Sequence, residues 1–357
     1  MNSSQDHLGS SIRWGSFQAG RSLTMASTSW LISGLSVSPM INSLLPAIAT
    51  LPVLLPLKRK SSGYGLILIA LILLLIVSYL QSIAIVKVQF LLLISFIATF
   101  LFGIGNEMSQ LTIQRRIVNE KGLPVNRLRT SSELGSLSGN ILTGMLFPAI
   151  RQYFPALLLL LPLGQLAYRN KQETSQVGSI SQIRTEIPFN KLCALQGWVF
   201  GSLFALLALW VRSIGEGNCF DFGMLLAAYG IGRSLNRVLP TFSQTIKYPL
   251  MAALLILTQF TSGIGAAVLF VPFGALAAST DAALVESMAP MGGDAPLRWQ
   301  VLIRSSSAGG LAGSLLMGMF TQIFGLNAGL PLQVFAFLAA MILVGRLTST
   351  SLHETSA

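Results

Sequence analysis

Long apolar runs, broken at short polar intervals, dominate the chain. From 66 to 80 and from 91 to 101 nearly every position is Leu, Ile, Val, Phe or Ala. Runs of this length fit neither the alternation of a half-buried strand nor the single stripe of a surface helix. A hydrocarbon core about 30 Å thick needs roughly 17–25 such residues in helix, because every backbone N–H and C=O must be satisfied inside the span. With Gly, Pro and charge clusters as punctuation, the pattern predicts twelve helical spans. They lie near 17–36, 40–57, 64–83, 88–107, 133–150, 153–168, 192–211, 222–240, 248–263, 264–280, 305–324 and 328–346. The first is the most polar, with Ser and Thr recurring between 22 and 38 and Arg21 near its start. The polar N-terminus has no compact apolar region followed by a small-residue site, so no cleavable signal peptide is expected.

Composition agrees with a chain solvated by lipid. Hydrophobic residues make up 52% and charged residues only 10%, against about 25% charged in a soluble domain, and mean hydropathy is +0.69. A soluble globule and a disordered chain are both excluded. The 23 Lys and Arg against 12 Asp and Glu leave a net charge of +11. In a soluble protein that would suggest nucleic acid; between membrane spans it marks the cytoplasmic side and an anionic lipid surface. With the N-terminus inside, the outer segments hold only Lys87, Arg151 and Arg212 and the inner ones hold the other 20 basic residues. An even number of spans with both termini cytoplasmic follows, and the expected location is the plasma (inner) membrane.

A shift of 174 residues superposes 131–145 on 305–319, with both serines, three glycines, two leucines and the methionine coinciding. The same shift places Glu107 on Asp281 and Arg59 on Arg233. Spans five and eleven are therefore repeat mates. A six-span repeat that keeps its orientation implies two six-helix bundles related by an axis along the membrane normal. The expected units are 1–169, a polar cytoplasmic linker at 170–190, and 191–357. The predicted fold class is thus an all-α polytopic membrane protein built from two parallel-repeat bundles.

Two six-span halves, the basic loop Pro56-Leu57-Lys58-Arg59-Lys60-Ser61-Ser62-Gly63 and a Gly-rich fifth span resemble the major facilitator superfamily. The opening Phe17-Gln18-Ala19-Gly20-Arg21-Ser22-Leu23 and the Ser38-Pro39 break look most like the drug and siderophore exporter branch, related to the enterobactin exporter. The resemblance implies a secondary transporter exporting a small organic solute by alternating access, energised by an ion gradient such as protons or by the solute's own gradient. The sequence departs from the superfamily where an acid usually latches the halves: the loop after the second span keeps its basic residues and lacks the acid, as does Gly232-Arg233-Ser234-Leu235-Asn236-Arg237. In the fifth span, Pro148 stands one place before the expected final Gly. A membrane binding or assembly protein that keeps the fold without cycling is the alternative these departures favour.

Candidate chemistry is sparse. His7 and His353 lie in the polar tails, and Cys193 and Cys219 are separated by a span, so no metal centre, haem site or disulfide is expected. No Gly-x-x-x-x-Gly-Lys-Ser/Thr loop is present to use ATP, and no cofactor or enzymatic activity is expected. Charges in or near spans cost several kcal/mol unless they face water or a partner, which singles out Arg21, Glu107, Glu133, Asp221, Asp281, Glu286 and Arg304. Glu107 and Asp281, as repeat mates, are expected to pair with Arg129 or Arg304 in a gate, and Arg21 to meet an anionic solute. Asn140, Gln165, Gln196 and Gln259 are polar groups that could bind cargo or join helices. Trp30, Trp198 and Trp210 are expected as anchors or packing residues. Gly135, Gly139 and Gly144, with Gly309, Gly310, Gly313 and Gly318, are expected to form the close-approach surface across which the halves rock.

Overall fold

A computed structural model describes residues 2–55, 63–84, 86–121, 124–146, 149–164, 188–235, 242–261, 263–289 and 295–354. Among these residues there are twelve α-helices: α1 (Asn2–Leu35), α2 (Pro39–Leu54), α3 (Tyr64–Ile83), α4 (Val88–Lys121), α5 (Val125–Met145), α6 (Ala149–Leu160), α7 (Lys191–Ser213), α8 (Cys219–Ser234), α9 (Gln244–Leu257), α10 (Ile264–Ser287), α11 (Ala295–Phe324) and α12 (Gly329–Glu354). The chain is a polytopic helical membrane protein. The expected Gln165 and most of the 170–190 linker lie outside the described residues.

Helix pairing follows the repeat. α1 lies along α5 as α7 lies along α11, α2 meets α4 as α8 meets α10, α3 meets α4 as α9 meets α10, and α6 packs on α1 and α3 as α12 packs on α7 and α9. Between the two sets, α2 runs along α11, α5 along α8, and α1 touches α7. One apolar core gathers Trp14, Phe17, Ile67, Leu74, Phe102 and Tyr153 from the first six helices. The other gathers Val199, Leu206, Phe222, Met251, Phe273 and Phe337, and also takes in Ala26 and Trp30 of α1.

Several helices exceed the expected spans. α1 begins at Asn2 rather than 17, α4 continues to Lys121, and α11 starts at Ala295 rather than 305. Counting apolar runs finds the length that meets lipid, whereas a helix keeps its i to i−4 bonds on leaving it. Conversely, only five segments among the described residues are long and apolar enough to cross on length and composition alone, within α3, α4, α7, α10 and α12. α1, α5 and α11 each lay one face along another helix and carry Ser, Thr and Gly. Their hydroxyls return to the backbone a turn earlier, as Thr24 does to Gly20 O at 2.7 Å, Thr143 to Gly139 O at 3.0 Å and Thr321 to Met317 O at 2.6 Å, so little polar cost remains.

Helix starts follow local chemistry. Ser38 Oγ accepts from Ile41 N, with Pro39 as the first helical residue of α2, and Asn190 caps α7 through Cys193 N at 3.1 Å. At α8, Asn218 accepts from Phe220 N and Asp221 N while Asp221 accepts from Asn218 N at 2.9 Å. That reciprocal cap accounts for the carboxylate of Asp221 without a functional role.

Candidate functional site

A cavity of about 250 Å³ lies between the two bundles. Ser22, Met25, Ala26 and Ser29 of α1, Asn42, Leu45 and Pro46 of α2, and Asn140 of α5 form one wall; Phe204, Ala205, Leu207 and Ala208 of α7 with Phe222 and Leu226 of α8 form the other. None of these lining residues is charged. Its size is slightly below the ~300–1,000 Å³ of typical ligand pockets, so it suits a small solute.

Contacts between the bundles concentrate at the end where α1, α5, α7 and α11 finish and α2 and α8 begin. Arg212 of α7 stacks its guanidinium 4.1 Å from the Trp30 ring centre, donates to Trp30 O at 3.0 Å and donates to Ser33 Oγ at 3.2 Å. The other side of this layer is Phe222, stacked on Trp30 at 5.6 Å. Phe222 also lines the cavity, so the layer of Phe222, Trp30 and Arg212 borders it. Beside them, Ser38 Oγ donates to Gln322 Oε1 at 2.7 Å between α2 and α11. Cys219 at the start of α8 is buried between Thr143 O at 3.4 Å and Gln152 Nε2 at 3.3 Å. At the opposite end Arg129 of α5 lies 5.0 Å from the Trp299 ring centre of α11.

The glycines divide into two groups, which corrects the expectation that all of them face the other bundle. A Cβ at Gly135 would fall 2.9 Å from Gly15 C, and one at Gly139 would fall 2.9 Å from Ser22 Cβ, so both seat α5 on α1. Gly309 and Gly313 seat α11 on α7, where a Cβ would meet Ala194 C at 2.6 Å and Trp198 C at 2.8 Å respectively. These are joints inside a bundle. Gly310 also belongs here, opposite Gly201 of α7. Of the seven candidates, only Gly144, facing Phe220 and Gly223 of α8, and Gly318, facing Ser43 and Met40 of α2, touch the other bundle. Helical rotation separates the roles: Gly144 and Gly318 stand five residues, about 500°, beyond Gly139 and Gly313.

The expected gate pairs are also redrawn. Asp281 pairs with Arg233 at 2.9 Å and accepts from Gln196, which is buried on α7; neither Arg129 nor Arg304 takes that place. Arg129 pairs with Glu133 one turn on at 3.2 Å, and Arg304 is exposed on α11. Arg21 donates to Gln110 of α4 at 3.2 Å, within its own bundle. Arg21, Glu107 and Gln196 are therefore absent from the described cavity lining, while Asn140 is part of it and donates across to Leu226 O at 3.3 Å. Arg233 is also 5.8 Å from the Tyr229 ring centre, and Tyr229 packs edge-on to cavity-lining Phe204 at 5.0 Å. The pair is partly exposed, its side chains at 29% and 18%. Asp281→Ala is thus expected to cost about 1–3 kcal/mol, less than a fully buried pair, read as a lower melting temperature in detergent.

Sequence reasoning passed over Arg212, counted only as one of three outer basic residues. The available signal was a cation at the end of a span whose partner span ends in Trp30.

No family model matches the chain, and no curated protein matches it. Solved structures match it in shape. The nucleoside transporter NupG aligns over 100% of both chains with a TM-score of 0.59 at 12% identity. A bacterial homolog of the human lysosomal transporter Spinster, in an inward-facing, occupied conformation, aligns over 95% of this chain and 92% of its own with a TM-score of 0.57 at 14% identity. The same homolog, inward-facing and unoccupied, gives 0.56 at 12% identity. The chain thus shares the polytopic helical fold of these transporters.

Proposed function

We propose that the chain is a secondary transporter that carries a small organic solute by alternating access, working as two units, 1–169 and 191–357, joined by a linker at 170–190. The observation that carries this reading is the uncharged cavity between the bundles, closed at one end by contacts that can part without unfolding either bundle. Rocking of two such bundles about a central site exposes it to each side in turn. The distribution of basic residues supports cytoplasmic termini and a plasma-membrane location, which puts the Arg212 end outside and makes this an inward-facing arrangement. Export is the direction supported by the resemblance at Phe17 to Leu23.

The test is solute flux in proteoliposomes. We expect saturable flux of a small uncharged solute that rises with an imposed proton gradient. Saturable flux indifferent to the gradient removes proton coupling. Absence of flux across a broad solute panel removes transport and favours a binding protein that retains the fold.

A further inference from the structure

We infer that the cavity selects an uncharged solute that brings its own hydrogen-bond donors: a small molecule with two or more hydroxyl or amide N–H groups on one edge and an apolar face opposite. This deepens the transport reading and rests on the same cavity. The argument comes from how the polar lining residues have already spent their hydrogens.

Asn42 donates from Nδ2 to Ser36 O at 2.8 Å and to Ser38 O at 2.9 Å. Both partners are carbonyls, which only accept, so the amide orientation is fixed and Oδ1 is the atom Asn42 has to offer. Asn140 gives one amide hydrogen to Leu226 O, keeping Oδ1 and one N–H. Ser29 gives its hydroxyl hydrogen to Met25 O at 3.0 Å, which leaves its lone pairs. Ser22 and Ser136 are 2.6 Å apart and share one bond, leaving at most one hydroxyl hydrogen. Unspent acceptors therefore outnumber unspent donors.

Where this half-open cavity covers the solute and keeps water from its polar edge, the imbalance decides the solute. A ligand carrying only acceptors would bury them against acceptors, and each unmade bond costs more than a made one returns. A carboxylate would meet the same surplus with a full charge, and an ammonium would enter without a counter-charge among the described lining residues. Met25, Leu45, Phe204, Phe222 and Leu226 supply the apolar wall. A small diol or amide meets both demands.

The experiment compares equilibrium binding of cyclohexane-1,2-diol, its dimethyl ether and cyclohexanecarboxylate to the purified full chain in detergent. Methylation removes the donors while keeping the ring and both oxygens. The diol is expected to bind at least about tenfold tighter than the ether, the yield of two hydrogen bonds. Ser29→Ala and Asn140→Leu should each reduce that ratio to about threefold or less, and Ser29→Ala leaves the contact between α5 and α8 untouched. Equal binding of ether or carboxylate, no binding of the diol, or a ratio unchanged in both variants overturns the inference. Because binding is read apart from flux, selective diol binding without transport removes only the transport reading. Flux confined to donor-poor or anionic solutes removes only the inference.

Discussion

Gly318→Leu is expected to cut solute flux to less than about a tenth of wild type while inserted, monodisperse protein stays at its normal level; Gly313→Leu, on the same helix, should instead lose the folded protein. A Cβ at Gly313 would sit 2.8 Å from Trp198 C and 2.9 Å from Trp198 Cα, both backbone atoms of α7. No side chain can rotate out of the way, so α11 must leave α7 along a contact that runs the length of the bundle. Overpacking of this kind costs about 1–3 kcal/mol for an added methylene or two, and a leucine adds more. A Cβ at Gly318 would meet Ser43 Cβ at 2.5 Å and Met40 Cα at 3.3 Å on α2. Parting α2 from α11 at that end relieves the clash, and the proposed cycle makes the same movement. Leucine there biases the protein toward the open arrangement without breaking a bundle. Size-exclusion yield and melting temperature separate folding from flux. A Gly313→Leu protein that melts normally, or a Gly318→Leu protein that transports normally, would show that the two groups of glycines do not differ as described.

That division is not legible in the sequence. The twelve helices and the likeness of the two halves are properties of apolar run length, basic-residue placement and the 174-residue repeat, all local or periodic features. The repeat even placed Asp281 and Arg233 as mates of Glu107 and Arg59, and the Asp281–Arg233 pair exists. Glycine spacing, however, does not tell which neighbour a bare backbone meets: Gly139 and Gly144 look alike in sequence, yet face α1 and α8 respectively. The charged candidates misled for a related reason. A charge in a span demands a partner, and Arg21 and Asp281 find theirs in Gln110, Arg233 and Gln196 within their own bundle. The cavity is left to neutral serines and asparagines, which hydropathy alone cannot separate from helix glue. Asn140 is both, since it lines the cavity and bonds across it.

Arg212→Ala is expected to shift the balance between the sealed and open forms of the outer end by about thirtyfold toward open. The cation–π contact with Trp30 is worth about 0.5–2 kcal/mol, and each charge-assisted bond, to Ser33 Oγ and Trp30 O, adds to it. Its partly buried position keeps the total at about 2 kcal/mol, and 1.4 kcal/mol is a factor of ten. Trp30 would then keep its stack on Phe222 and its apolar neighbours but lose its polar tie to α7, while its buried indole N–H has no partner among the described residues. Spin labels at Ser36→Cys on the end of α1 and Ser213→Cys on the end of α7 read this as a longer, broader distance distribution. Arg212→Lys keeps the charge but loses the flat stack and the fork of donors, so its distribution should fall between wild type and Arg212→Ala. Gly34→Ala provides an independent approach, because a Cβ there would lie 2.9 Å from Arg212 Nη1 and displaces the guanidinium without removing it. Opening in Arg212→Ala and Gly34→Ala alike identifies the stacked guanidinium, rather than the bulk of residue 212, as what holds α7 to α1. Distances unchanged from wild type in both would leave the seal to Gly144, Gly318 and the Ser38–Gln322 bond.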